Sequence, residues 1–520
     1  FFVIILFLVY FLIGSQIFTD YGFYVDEKFH RANGFYWLNY LSNFFGFIDL
    51  SQISQLKLKE IEGFTLPNID NWNLYGVIFD VPAAYLEIIL NIKNPIDYYQ
   101  MRHFLVFIFF FFGAIFFYLI LKNRFNNKIV SIIGVTLFIL TPRIFGDSFW
   151  NNKDIIFLTF FTISLFFYFK LIDNPSIKNI ILLALFSAIG TTMRFAGIFL
   201  PITLIFLYII DKISRRDELH LKTILICYFS FFFFLFIFWP NVWSNLPAAI
   251  FSSLNLDMSW KGNVNFLGKY YFSGNLPYSY LFFWIIISTP LIHLILFIFG
   301  FYNYIKRLIL RYFTIKQNSI YNDLWRSSNE KKDFLIFINL TFFVIVLSFL
   351  NIHLYNSWRL GYFLYIFIIY FAAFGIFLLT IKFKKKLVQL TIIFGMLIIF
   401  LIYRIALYHP YQSLYFNILI PPSIKNNVDV DYTGLSAFHF LKEIIDQEKN
   451  DKHIKIGVAS WYPLWRMVDL LNNEEKNKIT ILANDEKNQA KYLYSNRIYD
   501  IDKKYYKKYD IPSNFKKFKE

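Results

Sequence analysis

His103-Phe-Leu-Val-Phe-Ile-Phe-Phe-Phe-Phe-Gly-Ala-Ile-Phe-Phe-Tyr-Leu-Ile-Leu121 holds no charge after its histidine and no proline. Coiled as an α-helix, it rises about 1.5 Å per residue and covers roughly the 30 Å hydrocarbon core of a bilayer. Similar blocks recur on both sides. The spacing predicts about eleven membrane segments, at 1–18, 103–121, 129–142, 154–172, 178–193, 195–211, 221–240, 279–304, 333–351, 360–381 and 387–408. Two of them are short for a full crossing, and 178–211 reads as a hairpin broken near Thr191–Arg194.

Composition agrees. The 520 residues are 57% hydrophobic, 22% aromatic and 17% charged, more Phe, Ile and Leu than a soluble chain of this length can hide. The net charge of +16 would suit a nucleic-acid partner, but its placement excludes that reading and makes the lipid bilayer the partner. Lys and Arg gather in every second connection: Lys122, Arg124 and Lys128; Lys170 and Lys178; Lys212, Arg215, Arg216 and Lys222; Lys306 to Lys332; Lys382 to Lys386. By the positive-inside rule these connections are cytoplasmic. The alternate set is then extracytoplasmic: the loop 19–102, the segment 143–153, the turn at Arg194, the loop 241–278, the stretch 351–359 and the tail from 409. The single cysteine, Cys227, lies within an apolar block, so neither an internal disulfide nor a Cys-rich metal site is expected. Phe1 to Ile17 runs into a polar loop without a small-residue cleavage site, which favours a first span over a cleaved leader.

The tail differs in kind. Lys455–Ser460, Ile479–Leu482 and Lys491–Ser495 read as short strands, with helical stretches at Ser436–Glu448 and Trp465–Leu471. The expected architecture is an all-α polytopic bundle over 1–408 with a small extracytoplasmic α/β appendage over 409–520. Neither part contains a Walker loop, a Gly-rich dinucleotide fingerprint or a Ser-containing nucleophile elbow.

Chemistry-bearing residues cluster on the extracytoplasmic side. Asp26 and Glu27 follow the first span, with His30 one helical turn on. Such a pair can supply a general base and a hydrogen-bonding or cation-binding partner, or can be an ordinary solvated loop pair. Arg143, Asp147, Lys153 and Asp154 fall within twelve residues at the outer ends of two helices, a density that suits gripping a charged head group better than simple anchoring. Arg194 is the one charge in its apolar hairpin, so it either snorkels or meets a partner such as phosphate. His353 and Arg359, in Asn351-Ile-His-Leu-Tyr-Asn-Ser-Trp-Arg, form a second candidate clamp, and His103 begins the block quoted above. Trp243, Trp260, Tyr270 and Tyr271 suit either stacking on sugars or a belt at the membrane surface.

Taken in order, these clusters resemble the family 39-type membrane glycosyltransferases, of the protein O-mannosyltransferase and aminoarabinose transferase kind. The resemblance rests on the acidic pair after the first span, the Asn-Lys-Asp entry to a helix, Gly190-Thr-Thr-Met-Arg-Phe-Ala-Gly-Ile-Phe-Leu-Pro201, Tyr-Asn-Ser-Trp-Arg359, and His409-Pro-Tyr-Gln-Ser-Leu-Tyr-Phe-Asn417 followed by Asp431-Tyr-Thr-Gly-Leu-Ser436. It implies a GT-C fold in a bacterial inner membrane, with a periplasm-facing site that transfers sugar from a polyprenyl-phosphate donor. It makes Asp26 the catalytic acid position and Glu27 its partner. His30, His103, Arg143, Lys153, Asp154, Arg194, His353 and Arg359 become candidates for holding substrate. Arg194 stands where many relatives carry Lys, and Asn151–Asn152 where they often carry Asn-Pro. The sugar, the acceptor (protein, lipid or glycan) and any divalent metal stay open, and no cofactor is implied. A transporter or lipid flippase, a glycan polymerase or ligase, and a noncatalytic assembly protein with the same fold are the competing readings. A transporter would be expected to show internal repeats with paired broken helices, and none is evident.

Overall fold

The structure is a computed structural model that describes residues 2–62, 76–213, 219–243, 262–313, 327–350, 352–449, 453–499 and 506–517. Trp260, Arg215, Arg216 and Asn351 lie outside the described residues. Within them, nine helices are long and apolar enough to span a membrane, and Lys128–Ile139 and Ile177–Met193 are shorter apolar helices. Together they occupy the eleven segments expected from hydropathy. The chain is a multi-pass membrane protein.

Helix α1 (Phe2–Ile17) leads to the end of the bundle that carries the clustered polar residues. There α2 (Glu27–Phe44), α3 (Ile48–Glu62) and α4 (Asp80–Ile89) pack on one another, so the segment expected to be a loop is largely helical. Helix α5 (Pro95–Phe125) starts eight residues before the apolar block, where Asn94 caps the Ile96 N–H and Pro95 occupies the first turn. It is followed by α6 (Lys128–Ile139), α7 (Pro142–Asp147), α8 (Asp154–Asp173), α9 (Ile177–Met193), α10 (Phe199–Ile213) and α11 (Leu221–Phe238). The hairpin break falls at Arg194, whose backbone is extended (φ −147°, ψ 127°).

An antiparallel hairpin, β1 (Asn263–Phe266) with β2 (Lys269–Phe272), precedes α12 (Tyr280–Ser288) and α13 (Leu291–Phe313). The segment expected as one span at 279–304 is therefore two helices, parted at Pro290, which can neither donate a backbone hydrogen bond nor fit inside a helix. Next come α14 (Ser328–Phe349), α15 (Leu364–Lys382) and α16 (Leu387–Leu407). Helices α13 and α15 cross at backbone contact: a Cβ on Gly300 would lie 1.9 Å from the Phe371 carbonyl oxygen.

The end of the bundle opposite the polar clusters is closed by buried ion pairs around the start of α14. Asp333 accepts from Arg124 (2.6 Å), Arg307 (2.8 Å) and the Tyr370 hydroxyl (2.7 Å). Lys331 meets Asp211 and Lys332 meets Asp173, each at 2.6 Å. Lys331 and Lys332, at the end of one basic connection, are both buried, because acids on α10 and α8 meet them.

In the tail, α17 (Pro422–Lys425) and α18 (Ser436–Gln447) precede a three-stranded parallel sheet of order β4 (Ile479–Ile481), β3 (Ile454–Val458), β5 (Tyr492–Tyr494). The short helices α19 (Trp465–Val468) and α20 (Asn473–Lys478) lie in the connection between β3 and β4. All three expected strands are present. Their core includes Phe23, Val25 and Tyr99 from the other end of the chain. The Val25 N–H donates to the Thr433 carbonyl (3.1 Å), and Gly22 backs so closely on Leu435 that a Cβ there would lie 1.9 Å from its carbonyl oxygen.

Candidate active site

Helix α8 begins at Asp154 because Asn151 organises its entry. The Asn151 carbonyl oxygen accepts from the backbone N–H of Asp154 (3.0 Å), and its amide donates to Asp147 (3.0 Å) and to Asp154 Oδ2 (3.1 Å). Arg194, at the break after α9, turns its guanidinium back to Asp154, with Nε and Nη2 donating to Oδ1 at 3.0 and 2.6 Å. Arg359, in a short 3-10 turn before α15, places Nε 3.2 Å from Asp154 Oδ2 and lies over the Tyr355 ring at 5.4 Å. One buried carboxylate thus gathers two guanidiniums that are far apart in sequence.

Lys153 is buried beside them. Burial pulls its ammonium down to about 7, with Arg194 adding to the effect and Asp80, Asp154 and Asp26 opposing it. Asp26 is exposed and sits just before α2 without capping it. Its charge acts on Lys153, Arg359 and His30. The site therefore sets an accessible carboxylate against two buried cations, Lys153 and Arg359.

A polar scaffold supports this face. The Tyr24 hydroxyl donates to Asn152 Oδ1 (2.8 Å), the Asn33 amide to Asp80 Oδ2 (2.7 Å), and His30 Nδ1 lies 3.8 Å from Asp80. Burial alone would raise the Asp80 carboxyl. The His30 ring, the Lys153 ammonium and the Asn33 amide hold it below the usual carboxylate range. Burial lowers His30 and lifts Asp147 to about 7.

Glu27 is turned away from solvent. Its Oε1 lies 2.8 Å from His103 Nε2 and accepts the Tyr24 N–H at 3.3 Å, and burial raises its carboxyl above the usual range. Behind it, Glu87 accepts three hydrogen bonds from Arg31 and lies 3.6 Å from Arg102. The acidic pair is therefore one exposed and one buried carboxylate.

Of the residues singled out in the sequence, Asp26, His30, Lys153, Asp154, Arg194 and Arg359 converge. Glu27 and His103 form a dyad next to them. Arg143 binds backbone and scaffold: its Nε donates to the Tyr415 carbonyl (3.0 Å) and Nη1 to Ser357 Oγ (3.1 Å), with the guanidinium over Trp284 and Phe416. His353 Nδ1 lies 2.8 Å from Ser273 Oγ, and its ring meets Phe272 edge-on, which ties it to the β1–β2 hairpin. Asp80, Asn33, Tyr24 and Glu87 escaped sequence reasoning. Asp80 alone left a trace, as an acid inside the apolar run Val77-Ile-Phe-Asp-Val81. Among the described residues, no three His, Cys, Asp or Glu side chains converge to hold a metal ion.

Residues 97–243 match the family model of the dolichyl-phosphate-mannose-protein mannosyltransferases. That family is of the membrane-glycosyltransferase kind the ordered motifs resemble. The matched stretch carries His103, Arg143, Lys153, Asp154 and Arg194. Among solved structures the chain is similar to ArnT from Cupriavidus metallidurans bound to undecaprenyl phosphate, with a TM-score of 0.47 and 9% identity over 92% of this chain and 85% of that chain. The apo state of the same protein gives the same TM-score, identity and coverage. No curated protein matches the chain.

Proposed function

We propose that this chain is a GT-C-type glycosyltransferase of a bacterial inner membrane, moving a sugar from a polyprenyl-phosphate donor to an acceptor hydroxyl on the periplasmic side. The observation that carries the proposal is the exposed Asp26 carboxylate beside the buried cations Lys153 and Arg359 and the half-buried Arg194. A lipid-borne donor brings its own phosphate leaving group. The protein then needs a base for the acceptor and cations for the departing oxygens.

In this mechanism the acceptor oxygen attacks the anomeric carbon while the bond from that carbon to the phosphate oxygen breaks. The acceptor proton passes to Asp26. The bonding electrons leave with the polyprenyl phosphate, whose charge is met by the guanidiniums of Arg194 and Arg359 and by Lys153. Asp154 positions the two arginines and is not itself a phosphate ligand, since its oxygens already accept from Arg194 and Asn151 and pair with the Arg359 charge. The Glu27–His103 dyad sets the approach of the loop that carries Asp26.

Residues 1–408 form the transferase body, and residues 409–520 cover the acceptor entry. Tyr355 and Trp461 support that role: both rings are half-buried, Tyr355 under the Arg359 guanidinium and Trp461 stacked on the buried Tyr432 at 6.1 Å, and aromatic rings so placed suit contact with sugar. Mass spectrometry of lipid-linked sugars and surface glycans in cells with and without the gene tests the function. Loss of one glycan modification, with its lipid-linked donor accumulating, is the expected result. Identical profiles would retire it.

A further inference from the structure

A second cationic cavity of about 390 Å³ lies where α16 ends, lined by Arg404, Leu407, Tyr408, Asn417, Ile418 and Lys425. Its two cations come from separate elements, α16 and α17, and no acid lines it. Among the described residues neither Arg404 nor Lys425 has an ion-pair partner. An arginine in the last turn of a helix commonly offsets the helix dipole and snorkels into water. Arg404 departs from that pattern. Its guanidinium is held by the rings of Tyr408 (5.3 Å) and Tyr415 (5.7 Å), and its Nε is buried without a hydrogen-bond acceptor. Lys425 is likewise held over Phe416 at 5.8 Å.

The surroundings are apolar. Ile399, Tyr403 and Leu407 on α16, and Ile418 and Leu419 beyond it, are exposed apolar side chains at the edge of a membrane-spanning helix. Two unneutralised cations at that depth suit an anion that itself sits at the lipid surface. We propose that this cavity binds the phosphate head of a membrane lipid, Arg404 by paired N–H donors and Lys425 as a point charge. The site is separate from the cluster around Asp154. None of the residues lining the cavity belongs to that cluster.

Native mass spectrometry of the full chain tests this, with dioleoyl phosphatidic acid, phosphatidylglycerol, a polyprenyl phosphate and phosphatidylcholine as probes. The wild type is expected to keep one anionic lipid more than R404A/K425A, while phosphatidylcholine, neutral overall, distinguishes neither. Should the double variant fail to fold, R404Q and K425Q singly are each expected to weaken phosphatidic acid about tenfold, the scale of losing one hydrogen bond to a charged group. Preference for phosphatidic acid and polyprenyl phosphate over phosphatidylglycerol assigns a monoester-headed lipid; equal binding assigns ordinary phospholipid. Equal retention of every anionic lipid by wild type and folded variants would overturn the site. The readout is binding, so it stands or falls independently of sugar transfer.

Discussion

A single oxygen of Asp154 accepts both Nε and Nη2 of Arg194, at 3.0 and 2.6 Å. The other oxygen faces Arg359. Replacing Asp154 with Asn leaves the buried Arg359 and the half-buried Arg194 short of a counter-charge, a change that costs about 3–5 kcal/mol in buried pairs. The variant should melt markedly lower and lose donor binding together with stability. Arg194→Lys should bind donor better than Arg194→Ala, since an ammonium keeps the charge while losing the paired donors. Donor titrations on the purified chain separate the three.

Asp26→Asn should behave in the opposite way. The carboxyl is exposed and caps nothing, so melting and donor binding should stay near wild type. Transfer should fall by a factor on the order of 10² or more, the usual consequence of losing a general base. Near-normal turnover would reduce Asp26 to a loop acid.

Lys153 gives the donor site a pH dependence. Burial holds its ammonium at about 7, far below an ordinary lysine, so the unfolded chain binds more protons between about pH 7 and 10. This group's contribution to the stability of the empty protein therefore rises with pH across that window. Donor binding should run the other way, because a bound phosphate favours the charged form and takes up a proton. Affinity should drop as pH climbs through 7, and Lys153→Met should flatten that slope. Asp147, lifted to about 7, is a second titrating group nearby, so Asp147→Asn is the control.

At the far end of the bundle, Asp333→Ala should destabilise by about 3–5 kcal/mol, since it strands Arg124 and leaves Arg307 with less support. Donor affinity of the folded fraction should not change. A melting curve and a binding isotherm on the same preparation decide this; selective loss of donor affinity would contradict the separation of the two ends.

Cys227 is buried, which leaves a quiet background for topology by thiol labelling. A cysteine placed at Glu474, which is exposed in the tail, should react with an impermeant reagent from outside intact cells. One at Lys385, in the short basic connection before α16, should not. Reaction at Lys385 from outside would invert the proposed orientation.

Much of this was visible in the sequence because lipid imposes a simple rule: a span must be an unbroken apolar helix. Arg194 stood out for the same reason, as a charge where lipid tolerates none. The tail strands were legible because Ile454, Ile456 and Val458 alternate with non-apolar residues. Helices α2 to α4 were missed because their sequences mix polar and apolar residues without the length of a span. Asp80 and Glu87 were missed because a buried acid is recognisable only through partners, and theirs are tens of residues away. The burial of Lys331 and Lys332 was not legible for the same cause, since Asp211 and Asp173 lie on other helices.

The segment bearing Asp26 is pinned by one short stretch of the tail, with the Val25 N–H donating to Thr433 and Gly22 backing on Leu435. During synthesis α1 and the acidic pair emerge well before the backbone that holds them, which follows α16 in the chain. Lys153, Arg194 and Arg359 are therefore already made when the contact that fixes the Asp26 segment can first form. A chain cut short before residues 433–435 would keep the helices of the bundle and lack that anchor.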